Sequence, residues 1–345
     1  MKNIAVVILN WNGASLLRKF LPSVLKYSPE AEVIVADNAS KDDSMKVMET
    51  EFPEVRTIVL DKNYGFAEGY NQALRQVEAE FYLLLNSDVE VTEGWLQPLL
   101  SYMQAHEDVV ACQPKLRCEW NRPMLEYAGA CGGYIDWLGY PFCRGRVFNT
   151  VEEDKAQYDT VVPVLWATGA ALMIRSRQYW EAGGLDARFF AHQEEIDLCW
   201  RLCSRGYRIV CVPDSVVYHL GGASLPKQNS RKTFLNFRNN MILLYKNLPD
   251  DQLARVMRWR FWLDALACLY FFLTIQWGSC LAVWRGHWAF RKMKADFRAD
   301  REKNVRAMTV SSSELLFHKS ILWQYHVKGK KTYNELVQLK EASLL

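Results

Sequence analysis

Short apolar runs alternate with amphipathic stretches along the N-terminal part of the chain. IAVVIL at 4–9, EVIVA at 32–36, VRTIVL at 55–60 and FYLLL at 81–85 are rich in aliphatic and β-branched residues, as strands buried on both faces of a parallel sheet are. Between them, helical stretches are expected over 15–27, 42–52 and 67–79. This β-α-β-α order predicts right-handed crossovers, which place the C-terminal strand ends and the loops after them along one edge. Loops 10–14, 37–41, 61–66 and 86–90 therefore share the edge where ligands of open α/β sheets bind.

Residues 94–165 are less regular. A helix is expected over 95–106. The Gly- and aromatic-rich stretch YAGACGGYIDWLGYPFCRGR (127–146) has the composition of a loop over a pocket rather than of a sheet. A strand is expected over 162–175, helices over 176–182 and 193–204, and a strand over 208–212. Within the first of these, WATGA places Thr168 and Gly169 in a small-residue stretch suited to close approach by a bulky substrate.

Beyond Pro249 the pattern changes. Trp259, Trp262, Trp277, Trp284 and Trp288 lie among arginines, and no charged residue occurs from Ala265 to Val283. That run is long enough to span a bilayer, but Gln276, Gly278 and Ser279 interrupt it. Tryptophans and basic residues at both ends suit a helix pair docked in the membrane interface. A true span and an ordinary core or dimer contact are the alternatives.

Composition narrows the class. Half of the 345 residues (50%) are hydrophobic and 23% are charged, which excludes a disordered chain. A net charge of +3, with no recognisable motif, gives no argument for nucleic acid. Nine cysteines without a CxxC pair make a disulfide framework improbable on spacing, and Cys199 and Cys203 read as core thiols. Met1-Lys2-Asn3 leads straight into the first strand, so a cytoplasmic, reducing setting is expected. No pattern in the chain sets an oligomeric state.

Candidate chemistry collects at the loop edge. Asp37 ends the second strand, where an acidic residue can hold a ribose or a pyrimidine N–H, or cap the next helix. The loop after the first strand, NWNGAS, has one glycine and no GxGxxG, which disfavours NAD. Asp88, after Asn86 and Ser87, reads either as a turn residue or as an oxygen ligand for a cation on a diphosphate. On the helix at 193–204, Asp197 and Arg201 are spaced as a structural pair. Glu195 falls with Leu198, Cys199 and Leu202 on the inward stripe, where partial burial would raise it toward the range of a general base. The helix N-terminus opposes that shift. His219 is followed by Gly221-Gly222, which permit backbone close to a ligand.

The blocks VVILNWNG, VIVADNASKDDS, NYGFAEGYNQAL, YLLLNSDVEV, WATGAALMIR, GGLDARFFAHQEEIDLCWRLCSRGYRIVCVPDSVVYHLGGAS and the Arg238-Asn239 pair occur in that order. Together they resemble the family 2 glycosyltransferases of the GT-A fold, in their rhamnosyltransferase-like branch of bacterial polysaccharide and lipopolysaccharide assembly. The resemblance implies an α/β GT-A fold with a Rossmann-like, mostly parallel half, to which the C-terminal pattern adds amphipathic helices. The chain then divides into a catalytic domain at 1–248 (nucleotide-sugar half 1–92, acceptor half 93–248) and, on its tryptophan and arginine pattern, a membrane-docking region at 249–345. Asp37 would contact the nucleotide, with Asn12, Asn63, Gly65 and Phe66 around it. Asn86-Ser87-Asp88 stands at the DXD position, so Asp88 would hold Mg2+ or Mn2+, with His219 assisting. Glu194-Glu195 matches the Glu-Asp pair whose second carboxylate is the general base. Asn86 replaces the first acid and Glu195 the shorter Asp, which leaves open which glutamate takes the proton.

The implied activity is inverting transfer from dTDP-rhamnose or a UDP-sugar to a hydroxyl of a glycan or polyprenol-linked acceptor. The expected location is the inner face of the plasma membrane. The rivals are a nucleotidyltransferase acting on sugar phosphates, which would want a Gly-rich basic loop where NWNGASLLRK stands, and a non-catalytic membrane-docked scaffold.

Overall fold

A computed structural model describes residues 3–221 and 230–341. Its N-terminal part alternates β1 (Ile4–Asn10), α1 (Ala14–Tyr27), β2 (Glu32–Asp37), α2 (Ser44–Glu51), β3 (Arg56–Val59), α3 (Gly65–Leu74) and β4 (Phe81–Asn86). The continuous apolar strands are explained by two cores, one on each face. Ala5, Val7, Ile34 and Leu84 enter one, and Val6, Ile8, Val35 and Leu85 the other. β1 pairs in parallel with β2 and β4, and β2 with β3. The register sets Asn10 opposite Asp37 and Leu9 opposite Asn86, so these strand ends share one edge.

The sheet continues through β5 (Val89–Val91), β6 (Val109–Cys118), β11 (Val162–Val164), β12 (Ala171–Arg175) and β13 (Arg208–His219), in the order β11-β13-β6-β12-β4-β1-β2-β3 with β5 on β13. Helices α4 (Leu96–Ala105), α5 (Ser176–Glu181) and α6 (Glu194–Ser204) join these strands. Since β12 lies antiparallel between β4 and β6, both halves share one sheet.

Three expectations change. Residues 127–146 are not only loop: β7 (Gly133–Ile135), β8 (Pro141–Cys143) and β9 (Arg146–Val147) join β10 (Thr150–Val151) in a small antiparallel sheet. Strands of two or three residues are too short to show alternation. The sheet is fixed by tertiary contacts, with the buried Asp136 carboxylate accepting from the N–H groups of Leu138, Tyr140 and Ile321. The strand expected over 162–175 is two strands, because Thr168 turns the chain with its carbonyl and hydroxyl. The strand expected to stop at 212 runs to His219, with a register shift between Val212 and Val216 that accommodates Pro213.

The C-terminal part is helical: α7 (Ser230–Asn247), α8 (Asp250–Leu273), α9 (Trp277–Met293), α10 (Arg298–Arg306), then α11 (Ser312–Leu315), α12 (Ile321–His326) and α13 (Tyr333–Glu341). It is not detached. Arg301 donates to the Tyr245 and Leu248 carbonyls, and Ile321 and Leu336 complete a core with Phe142 and Val147. Among the described residues no helix is long and apolar enough to cross a membrane. The uncharged run is folded in its middle, with Thr274, Ile275 and Gln276 separating α8 from α9, so the single span is overturned.

Candidate active site

The loop edge of the parallel strands is stitched together by side chains of its own loops. Asp37 accepts from Asn10 Nδ2 at 3.0 Å and from Ser40 N at 2.9 Å, joining the ends of β1 and β2. It does not cap α2. Asp42 does that work, accepting from Ser44 N and, through its other oxygen, from Ala14 N at the start of α1. Asn12, at φ 51°, accepts from Lys41 N at 2.7 Å, so the first two loops fix each other. Asn38, passed over in the sequence, ties in the third loop: its Nδ2 donates to Asn63 Oδ1 and Gly65 O, and its Oδ1 accepts from Tyr64 N. The only sequence signal for it was its place directly after Asp37.

The third loop then meets the loop before α6. Phe66 N donates to Phe190 O at 2.8 Å. Gly65 sits at φ 76°, and a Cβ there would lie 2.6 Å from the Phe190 ring. Glycine is required here by both backbone and space.

Asp88 and His219 are brought together by the antiparallel pairing of β5 with β13, which sets Val89 opposite His219. His219 Nε2 lies 3.1 Å from Asp88 Oδ1, and Asn86 Nδ2 is 3.5 Å from the same nitrogen. Ser87 occupies the turn between them, half-buried. Glu126, also missed in the sequence, stands behind: its Oε1 is 3.4 Å from His219 Nδ1, and its Oε2 accepts from Ala128 N. Burial alone would lower the His219 imidazole, but the Glu126 and Asp88 carboxylates overcome it and push it up to about 10. Burial raises the Asp88 carboxyl, and the facing His219 charge more than offsets this, holding it below the usual carboxylate range. Of the glycines after His219, Gly221 is at φ 65°; Gly222 lies outside the described residues.

A divalent cation at Asp88 and His219 would displace the proton shared by His219 Nε2 and Asp88 Oδ1, leaving both atoms as ligands. Two ligands about 2.1 Å from a metal and at right angles stand about 3 Å apart, as these two atoms do. Among the described residues no group of three or more His, Cys, Asp and Glu forms a metal cage. A cation held here would complete its shell with diphosphate oxygens and water, the usual arrangement for Mg2+.

On the far side, α6 presents Glu194 and Glu195 from its first turn. Glu194 is buried and Glu195 half-buried, and an Oε2 on each is shielded from solvent with no hydrogen-bond partner. Burial, then the neighbouring Glu195 charge, raises Glu194 well above the ordinary value; burial raises Glu195. His192 Nε2 is likewise unpartnered, and burial with the nearby Lys232 charge keeps that imidazole neutral. The expected Asp197–Arg201 pair is present at 2.9 Å, but both groups are buried and Lys246 joins them at 2.8 Å from Asp197.

The loop leading into α6 is strained: Phe190, His192 and Gln193 all have positive φ. Residues 238–240 of α7 hold it. Asn239 Nδ2 donates to the Phe189, Ala191 and His192 carbonyls, Arg238 to those of Arg188 and Phe189, and Asn240 to Gln193 Oε1.

One short segment links the two sides. Ala170 O accepts from Asn86 N at 3.0 Å, while a Cβ on Gly169 would lie 3.2 Å from Phe66 Cζ and 3.8 Å from Glu195 Cβ. Thr168 is fixed behind it by Gln113 Oε1.

Comparison with known proteins finds similarity to glycosyltransferases. The glycosyl transferase family 2 profile matches residues 5–139. The chain is 25% identical over 232 residues to the N-acetylglucosaminyl-diphospho-decaprenol L-rhamnosyltransferase of Mycobacterium tuberculosis, covering 63% of this chain and 75% of that protein. It is 22% identical over 217 residues to the rhamnosyltransferase WbbL of Escherichia coli, covering 61% of this chain and 80% of that one. In fold it resembles GalNAc-T7, solved with UDP, GalNAc and Mn2+ (TM-score 0.57, 16% identity, 73% of this chain and 49% of that chain). It also resembles S. aureus TarS 1-349, solved with UDP-GlcNAc (TM-score 0.51, 17% identity, 89% and 90%). These two likenesses show a common GT-A architecture; residues 5–139 match the glycosyl transferase family 2 profile, and the sequence similarities run to rhamnosyltransferases.

Proposed function

We propose that the protein is an inverting glycosyltransferase that moves a sugar from dTDP-rhamnose or a UDP-sugar to a hydroxyl of a glycan or polyprenol-linked acceptor in cell-surface polysaccharide synthesis. The observation that carries this reading is the Thr168–Ala170 segment, which touches Asn86 on one side and faces Glu195 on the other. A donor diphosphate at Asp88 and an acceptor hydroxyl at Glu195 would then meet over Gly169, which has no side chain.

In this reading Asp37 and Asn12 hold the nucleoside, and the Asn63–Phe66 loop closes over it. Asp88 and His219 supply the ligands for Mg2+ or Mn2+, and Asn86 and Ser87 line the diphosphate. Such a cation would neutralise charge on the departing nucleoside diphosphate. Glu195 takes the proton from the acceptor hydroxyl; the oxygen attacks the anomeric carbon while its bond to the diphosphate breaks. A general base in position contributes about 10²–10⁴-fold. Glu195 is favoured over Glu194 because it is the more accessible of the two, whereas Glu194 is closed off from solvent. Residues 1–248 form the catalytic unit, and 249–345 dock it on the inner face of the plasma membrane. The exposed apolar and basic residues of α8 and α9 support that docking.

The test is a panel of sugar nucleotides with Mg2+ or Mn2+, read by thermal stabilisation and by release of nucleoside diphosphate. Stabilisation and release by one nucleotide class support the proposal. A chain indifferent to every sugar nucleotide overturns it.

A further inference from the structure

We propose that α8 and α9 form a wedge that enters one leaflet of an anionic phospholipid bilayer, tip first, and stops there. This deepens the membrane docking proposed above and rests on it, but not on the catalytic assignments.

The two helices are antiparallel and their rungs can be read from contacts. Asp264 Oδ2 meets His287 Nε2 at 2.9 Å, Cys268 Sγ faces Cys280 Sγ at 2.8 Å, and the Phe272 and Trp277 rings meet edge-on with centroids 4.7 Å apart. Asp264, buried against Arg260 and His287, is therefore the last charge before the tip on α8, and Arg285 is its counterpart on α9. Beyond that level the hairpin is uncharged. Leu273 and Ile275 are 70% and 74% exposed, and Leu266, Leu281 and Trp284 are exposed as well. On α8 the exposed apolar positions 266, 269, 270, 272 and 273 fall on one broad arc of about 160° at 100° per residue.

The length fits one leaflet. At about 1.5 Å per residue, the arm from Ala265 to Leu273 reaches about 13 Å, close to half of a hydrocarbon core of about 30 Å. The backbone of the turn is also prepared for such a medium, where unpaired polar groups are costly. Thr274 N donates to Tyr270 O, Ile275 N to Phe272 O and Gln276 N to Phe271 O, while Gln276 O accepts from Ser279 N and Cys280 N. The Gln276 amide bonds to Thr274 Oγ1, whose hydroxyl bonds to Tyr270 O.

The base of the hairpin identifies the lipid. From Arg255 to Lys294 every exposed charged residue is basic, which complements an anionic headgroup layer. Trp262 and Trp288 stand at that level, where amphipathic rings settle. The wedge is joined to the catalytic loop through α7: a Cβ on Gly286 would lie 3.2 Å from Arg238 N, next to Asn239. Insertion would thus hold the acceptor side of the site near the bilayer surface.

The experiment is flotation of the full chain with phosphatidylethanolamine–phosphatidylglycerol vesicles, in about 0.1 M and about 1 M salt, which shortens the screening length from about 10 Å to about 3 Å. Two variants accompany it, a tip double variant Leu273→Asp/Ile275→Asp and a base double variant Arg258→Gln/Arg285→Gln. The wild type should float at both salt levels. The tip variant should lose about tenfold or more in partitioning, in line with the cost of charge in hydrocarbon, while its nucleotide-sugar turnover in solution is unchanged. The base variant should float less well than the wild type in about 0.1 M salt and equally well in about 1 M salt, where the headgroup charge is screened. A tip variant that floats like the wild type, a wild type released completely by high salt, or a tip variant whose only change is loss of self-association would overturn the wedge. Failure of the catalytic reading looks different: the chain floats but releases no nucleoside diphosphate from any sugar nucleotide.

Discussion

The side-chain amide of Asn239 donates to the backbone carbonyl of His192 at 2.7 Å, two residues before Glu194. The same amide serves the carbonyls of Phe189 and Ala191, so one buried asparagine holds a loop with three left-handed non-glycine residues. Such conformations cost on the order of 1–3 kcal/mol each and persist only where the surroundings impose them. Asn239→Ala should destabilise the fold by about 1–3 kcal/mol and lower turnover further, because Glu195 loses its position. Asn239→Asp should cost more than Ala, since a carboxylate would face three carbonyl oxygens. Denaturant unfolding and single-turnover assays read the two effects separately.

The two glutamates should separate by function and by pH. Glu195→Gln is expected to leave donor binding near normal and remove turnover by about 10²-fold or more. With its pKa raised by burial to about 7, Glu195 should give a kcat that rises with pH through neutrality. Stability should move the other way. A carboxyl raised in the folded state binds more protons there than in the unfolded chain between the two pKa values, so stability falls as pH rises through that window. Glu194→Gln should therefore raise the melting temperature more at pH values above neutrality than at about pH 5. A Glu194→Gln variant that loses turnover while Glu195→Gln keeps it would exchange their roles.

Gly65→Ala is expected to weaken donor binding. Its Cβ would lie 2.6 Å from the Phe190 ring and 2.9 Å from the Phe190 carbonyl, at a φ that L residues rarely adopt. The loop carrying Phe66 must then move off residues 189–192. Titration with a stabilising sugar nucleotide should show a higher Kd, with a fold intact by circular dichroism.

Most of the donor half was legible because its strands are buried on both faces and its loops follow from parallel pairing. Asp88 could be placed at the ligand edge from the position of FYLLL alone. Glu126 could not: it reaches His219 through a ten-residue strand and an irregular turn, and nothing local marks it. The small sheet at 133–151 was hidden for the same reason, its strands being specified by neighbours such as Asp136 rather than by their own pattern. The Asp197–Arg201 pair was legible from its spacing, but its burial was not: α7, distant in sequence, supplies Lys246 and Asn247 as further partners of Asp197.

Glu126 has a consequence for metal affinity. A carboxylate behind a ligating imidazole orients the ring, and its loss typically costs about 10–100-fold in affinity. Glu126→Gln should weaken Mn2+ binding, measured by calorimetry in the absence of donor, by that order while leaving the melting temperature within a few degrees. Unchanged Mn2+ affinity would remove Glu126 from the site.

The central claim is transfer from a nucleotide sugar at the edge where Asp88 and His219 meet. It is tested most directly by following a radiolabelled sugar from dTDP-rhamnose and UDP-sugars into a lipid-extractable product, with wild-type protein and Asp88→Ala side by side. Labelled product and matching nucleoside diphosphate release are expected with the wild type, and neither with Asp88→Ala. An Asp88→Ala variant that transfers sugar at the wild-type rate, or a wild type that joins sugar phosphate to nucleotide with release of pyrophosphate, would contradict it.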